Sequence, residues 1–270
     1  GRADQDREHR SSRDELQRQR DARRQIVDHR LLRGEAGRTA LQDYWGYAVS
    51  DRPESNQRVE EYSRLMAASL SLVVEDVLAA YPFGDHTAVL DVGGGQGAWI
   101  RALAGHAPRL KLQLFDLPPV ADLAREHVAQ AGLADRVAVH GGSFAHDPLP
   151  AGADLVTLLR VAHDHPDHVV RALLASIHDA LPPGGTLLLA EPMAEAGERP
   201  ATADAYFHFY LLAMGAGRLR TPQELGRLMA EAGFTCIELV PGAMPLHARI
   251  LVGRRSQGKP ESGHIDVNLN

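Results

Sequence analysis

The chain has 270 residues, 44% hydrophobic and 24% charged, enough to fill one large α/β domain with a small extra segment. A net charge of −6 argues against nucleic acid as a partner. No apolar run reaches the roughly 18 residues of a membrane span. The polar N-terminus reads as lacking a secretory signal. The single cysteine, Cys236, excludes an internal disulfide framework and a cysteine-based zinc site. These features lead us to expect a cytoplasmic protein.

Residues 1–34 hold ten arginines against seven acidic residues and few apolar side chains. Such a stretch cannot bury enough surface to order itself and reads as disordered. Residues 35–84 read as a helical segment. The turn Arg52-Pro53-Glu54-Ser55 opens it. Val59, Tyr62, Met66, Leu70, Val73, Val77 and Tyr81 then recur at helical spacing, from about Asn56 to Tyr81. Pro82-Phe83-Gly84 stops the helix.

From 85 to 255 the period changes. Short apolar runs recur at Ala88–Val92, Leu112–Phe115, Val137–His140, Leu155–Leu159 and Thr186–Ala190, each expected to lead through a loop into a helix. That alternation predicts parallel strands with helices on both faces. Thr221-Pro222-Gln223-Glu224 is a capping box with proline at the first helical position, and Gly233 is a natural stop. Cys236–Val240 and Ala248–Val252 read as two more strands. Their connection is too short for a crossover, so they pair antiparallel. The fold class is therefore α/β, a sheet of about seven strands with an antiparallel terminal pair, preceded by a helical segment. Residues 256–270 read as a polar tail, and we find no internal repeat.

The strongest motif is Leu90-Asp91-Val92-Gly93-Gly94-Gly95-Gln96-Gly97, between a predicted strand and a predicted helix. Glycines let the backbone turn tightly and a ligand approach, and the free helix amides face that ligand. Asp116 ends the next strand, 23 positions after Gly93, where a carboxylate accepts from both hydroxyls of a ribose. The pattern points to a nucleoside-containing cofactor. Gly93-x-Gly95-x-x-Ala98 also satisfies the dinucleotide fingerprint, so an NAD-dependent oxidoreductase stays open. Asp91 favours a cationic sulfonium over a pyrophosphate. A second knot, His163-Asp164-His165-Pro166-Asp167-His168, follows the fourth strand and matches the metal-binding run H-x-H-x-D-H. A metallohydrolase would hold zinc there, but would want β-rich sequence upstream instead of a glycine loop.

Taken in order, Leu90–Gly97, Asp116-Leu117-Pro118, Val161-Ala162-His163-Asp164, Glu191-Pro192 and Arg220-Thr221 resemble the S-adenosylmethionine-dependent small-molecule O-methyltransferases. The resemblance spans about Leu31 to Arg255. Within the class, the segment from Asp204 to Gly215 is most similar to the hydroxyneurosporene O-methyltransferases of carotenoid synthesis. Polyketide and aromatic O-methyltransferases are the alternative.

The resemblance implies S-adenosyl-L-methionine as cofactor and no metal. It assigns cofactor contacts to Asp91, Gly93, Gly95, Gly97, Asp116, Leu117, Ser143, Phe144 and Arg160. It makes His163 the general base, supported by Glu191 from the neighbouring strand end. With an ordinary pKa of about 6.5, His163 would be largely neutral at cellular pH. Three positions depart from the family: Leu219 replaces a second glutamate, Ser143 an aspartate and Leu159 a lysine. The family's winged-helix dimerisation domain of about a hundred residues does not fit in residues 1–34, so a truncated or non-native front is expected. A homodimer is the family's habit. A lipophilic small-molecule acceptor brings with it peripheral membrane contact. Tyr206–Met214 reads as an all-round apolar helix buried on more than one side. One face would meet Tyr62 and Met66. The other, with Phe207, Tyr210 and Met214, would line the acceptor channel.

Overall fold

Apolar runs buried on both faces are the mark of parallel strands, and three here are buried at every position. The computed structural model describes residues 70–194, 207, 210–212, 214, 216–242, 248–256 and 267–268. Residues 1–69, including Tyr62 and Met66 and the start of the helix expected from Asn56, lie outside these described residues.

The strands are β1 (Ala88–Val92), β2 (Lys111–Asp116), β3 (Val137–Gly141), β4 (Leu155–Leu159), β5 (Thr186–Glu191), β6 (Phe234–Val240), β7 (Arg249–Arg255) and β8 (Val267–Asn268). They form one sheet in the order β3-β2-β1-β4-β5-β7-β6-β8. The first five run parallel, and β7 pairs antiparallel with both β5 and β6. The helices are α1 (70–80), α2 (Ala98–His106), α3 (Pro118–Gln130), α4 (Asp167–Ala180) and α5 (Pro222–Glu231). Val73, Val77, Trp99, Ile100, Leu103 and Val128 pack one face of the sheet. Val170, Leu173, Ile177, Leu225 and Met229 pack the other. The terminal antiparallel pair and the two-sided helical cover are as the sequence predicts.

Four details differ. Among the described residues β3 leads to β4 with no helix between them. Residues after β3 are instead turned by local bonds: Asp147 Oδ2 accepts from the Ser143 amide at 2.8 Å, and the Ser143 carbonyl accepts from the Asp147 amide at 2.7 Å. Strand β6 starts two residues early, at Phe234, and is bulged. Cys236 has φ +49°, and the pairing with β7 shifts between Thr235 and Glu238. Strand β7 runs on to Arg255. Part of the predicted tail supplies β8, which adds parallel to β6 as an eighth strand.

Strand β1 has β2 on one side and β4 on the other, so the strand order reverses there. Open α/β sheets bind ligands at the carboxyl ends of the strands beside such a point.

Candidate active site

The loop after β1 turns through three left-handed glycines, Gly93, Gly95 and Gly97, with φ +72°, +56° and +77°. Only glycine adopts that region freely. The Gly93 amide donates to the Phe115 carbonyl at 2.8 Å, which ties the loop to the end of β2. Asp116 then works at both ends of the crevice. Its Oδ2 accepts from the Gly95 amide at 2.7 Å, and its Oδ1 from the Leu117 amide at 2.7 Å. Burial pushes its pKa up to about 6 against those two donors. Open space surrounds the Gly95 Cβ position, so the loop leaves room beside it.

Asp91 lies beneath this loop, 2% exposed. A Cβ at Gly94 would meet its Oδ2 at 2.5 Å, so that glycine is needed for close approach. Asp91 Oδ1 accepts from the Thr157 hydroxyl at 2.9 Å, and Thr157 Oγ1 accepts from Trp99 Nε1 at 3.1 Å. Among the described residues no cation is paired with the carboxylate. Burial, joined by the Asp116 charge, pushes its pKa up to about 8.

The second half of the crevice is built on Glu191, 1% exposed at the end of β5. Its Oε1 accepts from the amides of Val161 and Ala162 at 2.7 and 2.8 Å. Its Oε2 lies 2.7 Å from His163 Nδ1 and 3.4 Å from the His163 amide nitrogen. The other ring nitrogen, Nε2, lies 3.3 Å from Asp164 Oδ1. Burial lowers the pKa of His163, but Asp164 and Glu191 outweigh it and the net shift is upward. The two carboxylates favour the imidazolium, so the pKa of the ring lies above its ordinary value. Arg160, just before this loop, holds φ +57°, a strained setting for a side-chain-bearing residue, and its amide donates to the Ala190 carbonyl at 2.9 Å.

The three histidines of H-x-H-x-D-H part company. His163 turns to Glu191, His165 packs edge-on against Phe144 at 5.2 Å, and His168 is exposed. Asp167 Oδ1 accepts from Arg218 and Arg220. Among the described residues no group of three or more His, Cys, Asp or Glu gathers as metal ligands do. Ser143 Oγ lies 3.4 Å from the Ala145 amide, and Phe144 packs on the core beside it.

Phe207 stands edge-on to the His163 ring, with ring centres 6.4 Å apart. Phe207, Tyr210, Leu211 and Met214 are helical and fall at i, i+3, i+4 and i+7, one face. Leu211 and Met214 are buried, whereas Leu212 is 41% exposed. Tyr206, His208, Phe209 and Ala213, which the expected all-round burial also involves, lie outside the described residues. Leu219, in place of the family's glutamate, is buried and bears no charge.

Sequence reasoning gave Arg220 and Gly217 no role at this site. Arg220 is 1% exposed and donates to the carbonyl oxygens of Ala162 and His165. Gly217, at φ +78°, leaves no room for a side chain: a Cβ would run into the His163 carbonyl. The available signal was the capping box at Thr221, which both partners form. It fixes where α5 begins and so brings the preceding residues to this crevice.

A glycine loop, an acid ending β2 and a histidine–glutamate pair at adjoining strand ends define a Rossmann-like transferase site. The chain belongs to the O-methyltransferase family, whose domain model matches residues 32–235. It is 40% identical over 231 residues to the demethylspheroidene O-methyltransferase of Cereibacter sphaeroides, covering 85% of this chain and 61% of that protein. It is 40% identical over 216 residues to its Rhodobacter capsulatus counterpart, covering 80% and 53%. The chain thus spans less than two thirds of the length of these relatives. Among solved structures, mitomycin 7-O-methyltransferase aligns with a TM-score of 0.70 at 32% identity, covering 79% of this chain and 60% of the other. Human N-acetylserotonin methyltransferase, in complex with S-adenosylmethionine, shares the fold with a TM-score of 0.73 at 24% identity, covering 86% and 67%.

Proposed function

We propose that the chain transfers a methyl group from S-adenosyl-L-methionine to the hydroxyl of a carotenoid, with His163 as general base. The observation that carries this is the 2.7 Å contact between His163 Nδ1 and Glu191 Oε2 at the strand ends facing the glycine loop. The two 40% relatives named for demethylspheroidene support the acceptor class. The chain spans 61% and 53% of these relatives, so the acceptor is a proposal.

The residues fit the cofactor. The loop is open beside Gly95, and Asp116, which ends β2 and is bound to the Gly95 amide, supports the ribose reading. Asp91 is a buried carboxyl group with no cation paired to it among the described residues, and it would suit a positively charged group. When bound, the cofactor supplies an electrophilic methyl on a sulfonium, which needs no metal to leave.

The protein's part is orientation and one proton. Glu191 takes a hydrogen bond from Nδ1–H, which leaves Nε2 as the basic nitrogen. An alkyl alcohol is a far weaker acid than imidazolium. His163 therefore removes the hydroxyl proton as the oxygen–carbon bond forms, not before. The imidazolium so made lies between Glu191 and Asp164. Phe207, against the His163 ring, supplies an apolar wall for a polyene, and Tyr210 and Met214 continue its face. A lipophilic acceptor brings the protein to a membrane surface, and we include peripheral membrane contact in the proposal.

Incubation of the purified chain with S-adenosylmethionine and demethylspheroidene, with naphthoate and phenolic acceptors in parallel, tests the reading by mass spectrometry. Methylation of the carotenoid alone supports it. Methylation of the aromatic acceptors alone moves the assignment to the aromatic class. Tight binding of NAD without S-adenosylhomocysteine binding overturns it.

A further inference from the structure

The loop from Val161 to Asp167 is held between two buried charges of opposite sign. On its amide side stands Glu191, which accepts from three successive N–H groups. On its carbonyl side stands Arg220. Arg220 Nη1 donates to the Ala162 carbonyl at 2.8 Å, and Nη2 to the His165 carbonyl at 2.7 Å. Nε and Nη2 both reach Asp167 Oδ1, at 2.9 and 2.8 Å. The two carbonyls bracket His163 in the chain. The His163 carbonyl itself accepts from the Arg218 amide at 3.0 Å.

A guanidinium buried to 1% is costly unless its donors find acceptors, and here each nitrogen has at least one. Its planar fork presents donors in fixed directions, which a lysine cannot reproduce. The charges that move the pKa of His163 are Asp164, Glu191 and Arg160. Arg220 meets the loop that carries the ring through the backbone carbonyls of Ala162 and His165.

We propose that Arg220, braced by Asp167, is the positioning residue that sets the orientation of the His163 ring. The inference rests on the reading of His163 as base and deepens it. Arg220 fixes the carbonyls of Ala162 and His165 while Glu191 fixes the amides. The backbone of His163 is then held from both sides, with Nδ1 kept on Glu191 and Nε2 on the side of Asp164.

The test uses the full chain carrying Arg220→Ala, Arg220→Lys and Asp167→Asn. Three quantities are read: turnover and KM with demethylspheroidene, S-adenosylhomocysteine affinity by calorimetry, and the His163 titration by NMR of labelled imidazole. For Arg220→Ala we expect kcat to fall about tenfold to a hundredfold, the range for a misplaced catalytic group. Cofactor affinity should stay within about twofold, since the loop after β1 is untouched. The His163 pKa should fall as Nδ1 drifts from Glu191, and Arg220→Lys should restore part of both effects. A folded Arg220→Ala protein with an unchanged His163 titration and unchanged kcat overturns the inference. So does a protein that loses only thermal stability. If Arg220→Ala does not fold, Asp167→Asn decides, because it weakens one partner of the fork and leaves both carbonyl bonds. The same shifts, smaller, are expected there, and none is the refuting result. His163→Ala with undiminished turnover would refute the base reading instead. The NMR titration judges the role of Arg220 without any turnover.

Discussion

Asp91→Asn removes a single titrating group from the middle of the sheet with almost no change of shape. In the folded chain the Asp91 pKa is pushed from 3.8 up to about 8 by burial. In the unfolded chain it returns to about 3.9. Between those values the folded state holds a proton that the unfolded state has released, so stability falls as pH rises. The full effect is stability present below about pH 4 and lost by the time pH passes about 8. One proton corresponds to about 1.4 kcal/mol per pH unit. From pH 5 to 7 this group alone should remove about 3 kcal/mol, or roughly 6–12 °C in Tm for a chain this size. Asparagine keeps an acceptor for the Thr157 hydroxyl but cannot titrate. Its amide carries its own constant cost, so the slope with pH is the readout and the absolute stability is not. Thermal or urea unfolding of both proteins at pH 5, 6 and 7 gives the comparison. The wild-type curve should fall with pH more steeply than that of the variant, by about 1.4 kcal/mol per unit. Parallel curves would refute the argument that Asp91 is held neutral in the free protein.

Three other outcomes follow from the geometry. With His163 as the proposed base, its raised pKa puts the acid limb of kcat above pH 6.5, because a base must be neutral and the activity is lost as pH falls through the folded pKa. Glu191→Gln should move that limb downward and lower the plateau, as a pH–rate profile on demethylspheroidene would show. Gly217→Ala should destabilise by about 2 kcal/mol or more, since φ +78° and the His163 carbonyl both oppose a Cβ; denaturant unfolding measures it. Phe207→Ala and Tyr210→Ala, in variants shown to be folded, should raise the acceptor KM far more than the S-adenosylmethionine KM. Equal changes in both would return this face to plain packing.

Much of this was legible because burial and glycine leave strong marks. Strands β1, β4 and β5 are apolar at nearly every position because helices cover both faces. The glycines of the β1 loop stand out because three of them are left-handed. The Thr221–Glu224 box is local, and both of its bonds form. The missing helix after β3 was not legible. The predicted period continued there, while Ser143 and Asp147 bound each other's backbone instead. The bulge at Cys236 left no mark either, since cysteine carries no preference for positive φ. Arg220 meets Ala162 across 58 positions, a distance at which no spacing argument reaches. The histidine run misled in the other direction. Three side chains close in sequence looked like one ligand set, but a short turn at Ala162–Asp164 and the start of α4 send them to three environments.

The placement of charge ties the two halves of the crevice together. On the β1 and β2 side, Asp91 and Asp116 have raised pKa values, the behaviour of carboxylates that lack a cation. On the β4 and β5 side, Glu191 and Asp164 flank a histidine whose pKa they raise, the behaviour of carboxylates awaiting one. In the proposed transfer a positive charge disappears beside the first pair as another is made on His163 between the second. Carboxyl groups fixed in advance at both ends, with Asp91 giving up its proton only when a cation stands beside it, let the positive charge move with little reorganisation of the protein. Leu219, buried without charge where the family has a glutamate, fits this arrangement. Asp164, 3.3 Å from Nε2, already supplies a second carboxylate to the ring, and the clamp of Arg220 on Asp167 keeps the loop that bears it in place.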